Sequence, residues 1–172
     1  MEFEEKTLEK NYLYKGKIIN VRKDNALLPN GNTAIREVVE HLGGSCILCI
    51  VDGKVLLVKQ FRYPYAEEIW EIPAGKLNQG ETPEQTAIRE LEEECGLKAE
   101  SVTKLFDVYP TTAYSNEIIR IYRAENVKKT NQHLDDDEFL RAQWFDLQTV
   151  KKMIESGEIK DGKTLIALLS VL

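Results

Sequence analysis

The chain has 172 residues, 42% hydrophobic and 30% charged, with 23 basic against 29 acidic side chains and a formal net charge of −6. That length suits one domain around a single sizeable core. The acidic balance argues against a nucleic-acid binder working through clustered Lys and Arg. No run of about 18 apolar residues exists to span a membrane. The opening MEFEEKTLEK lacks an apolar signal core, so cytoplasm is the expected location. Three cysteines make no disulfide framework. An acidic chain that handles an acidic substrate needs a cation or local arginines to offset the repulsion.

In chain order, residues 12–22 and 34–41 are predicted strands, separated by a turn at Pro29-Asn30-Gly31-Asn32. Gly43-Gly44 interrupts the pattern. Cys46–Val51 and Val55–Phe61 are apolar strands about Asp52-Gly53, a strong hairpin signal. Trp70–Ile72 is a short strand ending at Pro73. Thr82–Cys95 is the clearest helix. Thr82 suits the N-cap, Pro83 the first helical position and Gln85 the capping box, while Gly96 suits the C-terminal stop. Ala87, Leu91 and Cys95 recur every four residues as one apolar face. Val102–Tyr109, Glu117–Ala124 and Leu140–Phe145 are further strands; Leu147–Ser156 and Lys163–Leu172 are helices. The order predicts an α+β fold, with residues 1–40 as a strand arm and 41–172 as the main domain.

The central helix packs Arg89, Glu90, Glu92, Glu93 and Glu94 into six residues. Glu90 and Glu94 are four apart and share a face, and Glu93 neighbours Glu90. Like charges at that spacing repel, so the cluster is either a solvated face or a site for a hard divalent cation with oxygen ligands. The upstream segment, Gly75-Lys-Leu-Asn-Gln-Gly-Glu81, is a glycine-punctuated loop feeding the helix.

Read as one string, Gly75, five residues, Glu81, seven residues and Arg89-Glu90-Leu91-Glu92-Glu93-Glu94-Cys95-Gly96-Leu97 resembles the Nudix hydrolase signature at every fixed position. The resemblance implies a mixed β-sheet sandwiched between α-helices. It implies hydrolysis of a nucleoside diphosphate linked to another group, with two or three Mg²⁺ ions and Mn²⁺ as a substitute. It also implies metal ligation by Glu90, Glu94 and the Ala74 carbonyl, with catalytic Glu93 close to the metals. Gly75, Glu81, Arg89 and Gly96 would be structural, and Glu92 would face solvent.

Further stretches resemble the ADP-ribose pyrophosphatase branch: Ile35–His41, Gln60–Pro64, Trp70–Gly75, Asp135–Phe139, Gly157–Ile159 and Lys163–Leu165. That likeness implies an acidic loop, 135–138, supplying the catalytic base and a further metal contact, with Glu138 favoured and Asp136 kept beside it. It implies Arg62 on the diphosphate, Arg36 and Glu37 at the adenine end from an arm swapped within a homodimer, and Glu117 on the ribose side. One departure concerns the substrate. The branch carries a proline about fifteen residues after the signature; here Thr112 occupies that place and Pro110 precedes it by two. GDP-mannose or another nucleoside diphosphate sugar therefore remains an alternative, as does a non-catalytic nucleotide-sensing module. The latter fits poorly with a chain that keeps every metal carboxylate. No nucleic-acid or membrane partner is expected.

The remaining signals have structural explanations. Cys46 and Cys49 have redox-motif spacing but lie in an apolar strand, where residues three apart face opposite ways. Cys95 is expected in the core, His41 and His133 are too far apart in sequence for a local zinc site, and Trp70 and Trp144 are expected as core or interface aromatics, with Trp70 as a possible brace for a substrate base.

Overall fold

The structure is a computed structural model that describes residues 2–136 and 138–172. The chain forms two compact units: one runs to Gly43 and takes in Tyr109–Ile118, and the other holds Gly44–Val108 and Ile119–Leu172. The inclusion of 109–118 with the N-terminal strands is a long-range feature that the sequence does not announce.

The first unit is a sheet of β1 (Lys6–Glu9), β2 (Tyr12–Lys15), β3 (Ile19–Leu27) and β4 (Thr33–His41). β3 is central. β4 pairs along its whole length, from Ile19 opposite His41 to Leu27 opposite Thr33. β1 and β2 share the other edge, at the Leu27 and Asn20 ends respectively. The strand expected over 12–22 is thus two strands: the chain turns at Gly16, whose N–H donates to the Ile19 carbonyl at 3.0 Å. β1 escapes sequence reading because all its residues are exposed, leaving no alternation to detect. The 109–118 segment docks on β4 through Val39 N–H to the Tyr114 carbonyl at 2.7 Å and His41 N–H to Asn116 Oδ1 at 2.8 Å.

The second unit contains β5 (Gly44–Leu48), β6 (Ile50–Val51), β7 (Lys54–Arg62), β8 (Glu67–Glu71), β9 (Ala74–Lys76), α1 (Pro83–Cys95), β10 (Leu97–Val108), β11 (Ile119–Lys129), β12 (Leu140–Asp146), α2 (Leu147–Glu155) and α3 (Gly162–Leu169). One sheet runs β10-β11-β5-β9, with β11 and β5 parallel and the other pairs antiparallel. The other runs β12-β7-β6, with β8 also on β7. Asp52 and Gly53 both take positive φ, +50° and +72°, the conformation a two-residue hairpin turn requires.

β5 explains the layering. Its side chains alternate: Cys46 and Leu48 join Ile121, Val150 and Met153 of α2, and Ala167 and Leu168 of α3. Ile47, with Cys49 just beyond, joins Tyr122 and Ala87 and Leu91 of α1. The sheet is therefore mixed and covered by helices on both faces, the α+β arrangement expected from the sequence. Cys46 and Cys49 end in separate cores, and burial pushes each thiol up to about 12. Trp70 is buried edge-on against Phe145, ring centroids 5.0 Å apart, whereas Trp144 stays partly exposed. Among the described residues, no helix is long and apolar enough to cross a membrane.

Candidate active site

α1 forms because its ends are satisfied. Thr82 accepts from Gln85 N–H, and the Gln85 side chain accepts from Thr82 N–H at 2.9 Å. Gly96 closes the helix at φ +63°. A Cβ there would come within 2.8 Å of the Gln132 backbone nitrogen, so both conformation and space demand glycine. Gly96→Ala is expected to lower stability by about 2 kcal/mol, measured by denaturant midpoint, because strain and backbone overlap act together.

Arg89 is the hub of the loop–helix junction. Its Nε and Nη2 donate to the two oxygens of Glu81 at 2.9 and 3.1 Å, and Nη1 donates to Glu90 Oε1 at 2.8 Å and Glu93 Oε2 at 2.6 Å. Nη2 also reaches the Lys76 carbonyl at 3.2 Å. The hydrogen bond from Arg89 holds the Glu81 carboxyl down at about 2. Glu81 and Arg89 thus pin the loop to the helix. Gly75 belongs to β9 rather than to a free loop, and a Cβ on it would overlap the Glu90 carboxyl group.

Glu90 and Glu94 are buried, 7% and 2% exposed. Burial raises Glu90 to about 7 despite the pull of Arg89, and burial together with the charge of Glu90 raises Glu94 well above the carboxylate range. The Ala74 N–H donates to Glu94 Oε2 at 3.1 Å. Glu93 is half-buried and paired with Arg89. Glu92 is also half-buried, paired with Lys98 at 3.0 Å, rather than simply facing solvent.

The segment entering the acidic loop is laced to the end of α1. Thr130 N–H donates to the Gly96 carbonyl at 2.8 Å, Gln132 Nε2 to the Glu94 carbonyl at 2.6 Å and His133 N–H to the Glu93 carbonyl at 3.1 Å. The loop then turns, with Glu138 N–H donating to the Asp135 carbonyl at 2.9 Å. Asp136 is exposed on this turn and Asp137 lies outside the described residues. The charge of Glu138 adds to the upward push on both Glu90 and Glu94, within electrostatic reach of the signature carboxylates.

Two buried carboxylates that repel one another, with a third charge beside them, suit a hard divalent cation. Glu90, Glu94 and the adjacent Ala74 backbone are the residues that fit one. Among the described residues, no three His, Cys, Asp or Glu side chains already converge as a metal cage.

Arg62, expected on the diphosphate, is held from behind. Its Nε and Nη2 donate to the two oxygens of Glu71 at 2.5 and 2.7 Å. Glu71 is 2% exposed and also takes Lys163 Nζ. A cavity of about 400 Å³ opens here, lined by Arg62, Tyr65, Glu67, Lys160, Asp161 and Lys163. A second, of about 440 Å³, lies beside Cys95 and Trp144, and neither cavity is lined by a signature carboxylate. Sequence reading passed over Glu71, Lys163 and Gln132. Glu71 carries a signal, a charge inside the otherwise apolar stretch Ile69–Ile72; Lys163, in a polar segment, and Gln132 carry none.

In the N-terminal unit, Arg36 makes a two-point pair with Glu5, at 2.8 and 2.6 Å, and Glu37 is exposed opposite Lys23. Glu117 lies with Oε1 3.4 Å from His41 Nδ1. That nitrogen also accepts from Gly43 N–H at 3.0 Å.

The NUDIX domain model matches residues 39–167. The chain belongs to the Nudix hydrolase family. Residues 5–39 match the nucleoside diphosphate sugar hydrolase N-terminal domain. An ADP-ribose pyrophosphatase of Bacillus subtilis (strain 168) is 42% identical over 168 residues, 96% of this chain and 91% of that one. A GDP-mannose pyrophosphatase of Yersinia enterocolitica (serotype O:8 / biotype 1B) is 36% identical over 145 residues, 78% and 75% of the two chains. In fold, the Nudix chain superposes on a crystal structure of an ADP compounds hydrolase with a TM-score of 0.86 at 20% identity, covering 98% and 92% of the two chains.

Proposed function

We propose that this enzyme hydrolyses the diphosphate of ADP-ribose, with Mg²⁺, to AMP and ribose 5-phosphate. The observation that carries the reading is the complete signature, with Glu90 and Glu94 buried on one helix face, joined to near full-length similarity to an ADP-ribose pyrophosphatase. Bound beside Glu90, Glu94 and Ala74, the cation supplies neutralisation of the diphosphate and acidification of the attacking water.

The chain's own residues do the rest. Arg62 engages the diphosphate oxygens, since a guanidinium matches phosphate in two-point fashion. Glu138, with Asp136 beside it, takes the proton from the water as it attacks phosphorus. The P–O bond of the anhydride breaks and the departing phosphate keeps the bridging oxygen. Glu93 stays near the reacting groups, oriented by Arg89. Arg36, Glu37 and Glu117 are assigned to the nucleoside and ribose ends.

The arm is assigned to a homodimer. Leu8, Leu13, Tyr14, Ile18 and Ile35 are exposed on the N-terminal unit, an apolar set of the kind that a partner covers. Light scattering is expected to give twice the chain mass; a monomer would remove the swapped arm and the role of Arg36. Cytoplasmic location completes the reading.

GDP-mannose is the second reading, supported by the Yersinia relative and by Thr112 in place of the marker proline. A panel of purified nucleotides with Mg²⁺, scored by released AMP or GMP, separates the two. ADP-ribose is expected to exceed GDP-mannose in kcat/KM by about tenfold or more, a modest transition-state difference. The reverse order would transfer the assignment. Tight ADP-ribose binding without product would leave a sensing module.

A further inference from the structure

We propose that Lys163 is a positioning residue for the diphosphate arginine, acting through Glu71 to fix the Arg62 guanidinium. This rests on the assignment of Arg62 to the substrate diphosphate.

The geometry is a relay of charges from the last helix. Lys163 Nζ donates to Glu71 Oε2 and lies 3.0 Å from Asp161 Oδ2. Its side chain is only 11% exposed and that of Glu71 only 3%. Glu71 then spends both oxygens on Arg62, leaving the Nη1 side of the guanidinium outside the fork. The same turn of α3 is tied to the strand that leads into the signature. Asp161 caps the helix by accepting from Thr164 N–H at 3.0 Å and from Thr164 Oγ1 at 2.6 Å, and Thr164 Oγ1 accepts from Ile72 N–H at 2.9 Å.

Stability alone is a poor reason for this arrangement. Lysine in the first turn of a helix opposes the macrodipole. A buried ion pair is commonly no better for stability than apolar residues of the same volume. What the arrangement does provide is a fixed direction for Arg62. With one cation, Glu71 could swing with Arg62; held by Lys163 as well, it is an anchored acceptor. A planar guanidinium gripped by two of its nitrogens keeps a single orientation, which favours the geometry a diphosphate needs.

The test is a double-mutant cycle on the full-length enzyme with ADP-ribose and saturating Mg²⁺. Arg62→Ala is expected to lower kcat/KM about 100-fold. Lys163→Met is expected to raise KM about tenfold with kcat within about twofold, and to have no further effect in the Arg62→Ala background. Lys163→Arg, which keeps the cation, should restore most of the loss. A normal KM in Lys163→Met, or a full additional loss on top of Arg62→Ala, overturns the relay. A normal kcat/KM in Arg62→Ala overturns the Arg62 assignment instead. If Lys163→Met does not fold, the readout is the Arg62 Nε–H resonance in Lys163→Gln, which removes the charge but keeps a polar side chain, expected to shift and exchange faster than in the parent; an unchanged resonance overturns the proposal.

Discussion

Glu94→Gln is expected to abolish turnover almost completely and yet to yield a metal-free protein more stable than the parent. The two effects have one cause. Glu94 is 2% exposed, its own charge is opposed by burial and by Glu90, and its hydrogen bond comes from the neutral Ala74 N–H. A neutral amide removes a buried charge without removing volume, so the apo fold gains. The same change deletes a cation ligand, and a loss of about 10³–10⁴ in kcat corresponds to about 4–5.5 kcal/mol of transition-state stabilisation. Mg²⁺ at about 100 times its Kd should raise the parent's stability by about 2.7 kcal/mol, or several degrees in Tm. The variant should show little or none of that rise. Normal activity at limiting Mg²⁺, or an undiminished Tm rise, would sever the helix from the metal.

The same pair sets a pH dependence for the metal-free protein. Glu90 in the fold sits at about 7, above its ordinary value of 4.5, and Glu94 is raised as well. Below about pH 4.5 both states hold these protons and there is no penalty. As pH rises toward 7 the unfolded chain releases them first, so stability falls, and above the folded values the penalty is complete. The apo protein is therefore expected to lose stability from Glu90 as pH rises from about 4.5 to about 7, with Glu94 adding to the loss in the same direction, in thermal melts with chelator, and Mg²⁺ should flatten the slope. A slope unchanged in Glu94→Gln would assign it to other groups.

What the sequence discloses and what it hides follow from the range of the interactions. α1 is legible to the residue because cap, stop and apolar face are all local: Thr82, Gln85 and Gly96 announce its ends. Glu90 and Glu94 are legible because a four-residue step on a helix has a known meaning. β9 is hidden because Gly75 has no side chain to show alternation, although its backbone pairs with Ser45. β5 and β6 read as one strand because Cys49 is as apolar as its neighbours, yet the chain changes sheets there. The Arg62–Glu71–Lys163 relay is hidden by distance, since 92 positions separate Glu71 from Lys163. Periodicity reports what a residue faces, and only the tertiary fold reports what it meets. The contact of Arg36 with Glu5 is of the same kind: the pattern places Arg36 on a strand, and the arm supplies the partner.

Glu138→Gln should separate the acidic loop's two candidate duties, and with them Glu138 from Asp136. Glu138 adds charge at Glu90 and Glu94, whereas Asp136 is exposed on the same turn. A general base contributes about 10²–10⁴ in rate. Glu138→Gln is accordingly expected to reduce kcat at least 100-fold with KM within a few-fold, and Asp136→Asn to reduce it less than about tenfold. Stability should hardly change in either, because the bonds that tie the loop to α1 run through Thr130, Gln132 and His133, and the long 3.4 Å bond from Asp135 N–H to Glu138 Oε2 can be accepted by a glutamine oxygen as well. If Glu138 serves mainly as a metal contact, excess Mg²⁺ will recover most of the rate by mass action. If it serves as base, excess Mg²⁺ will not, but higher pH will, as hydroxide replaces the missing proton acceptor. A larger loss in Asp136→Asn than in Glu138→Gln would move the base two residues upstream. Near-normal kcat in both would remove the loop from the chemistry and leave Glu93, already oriented at 2.6 Å by Arg89, as the carboxylate to test next.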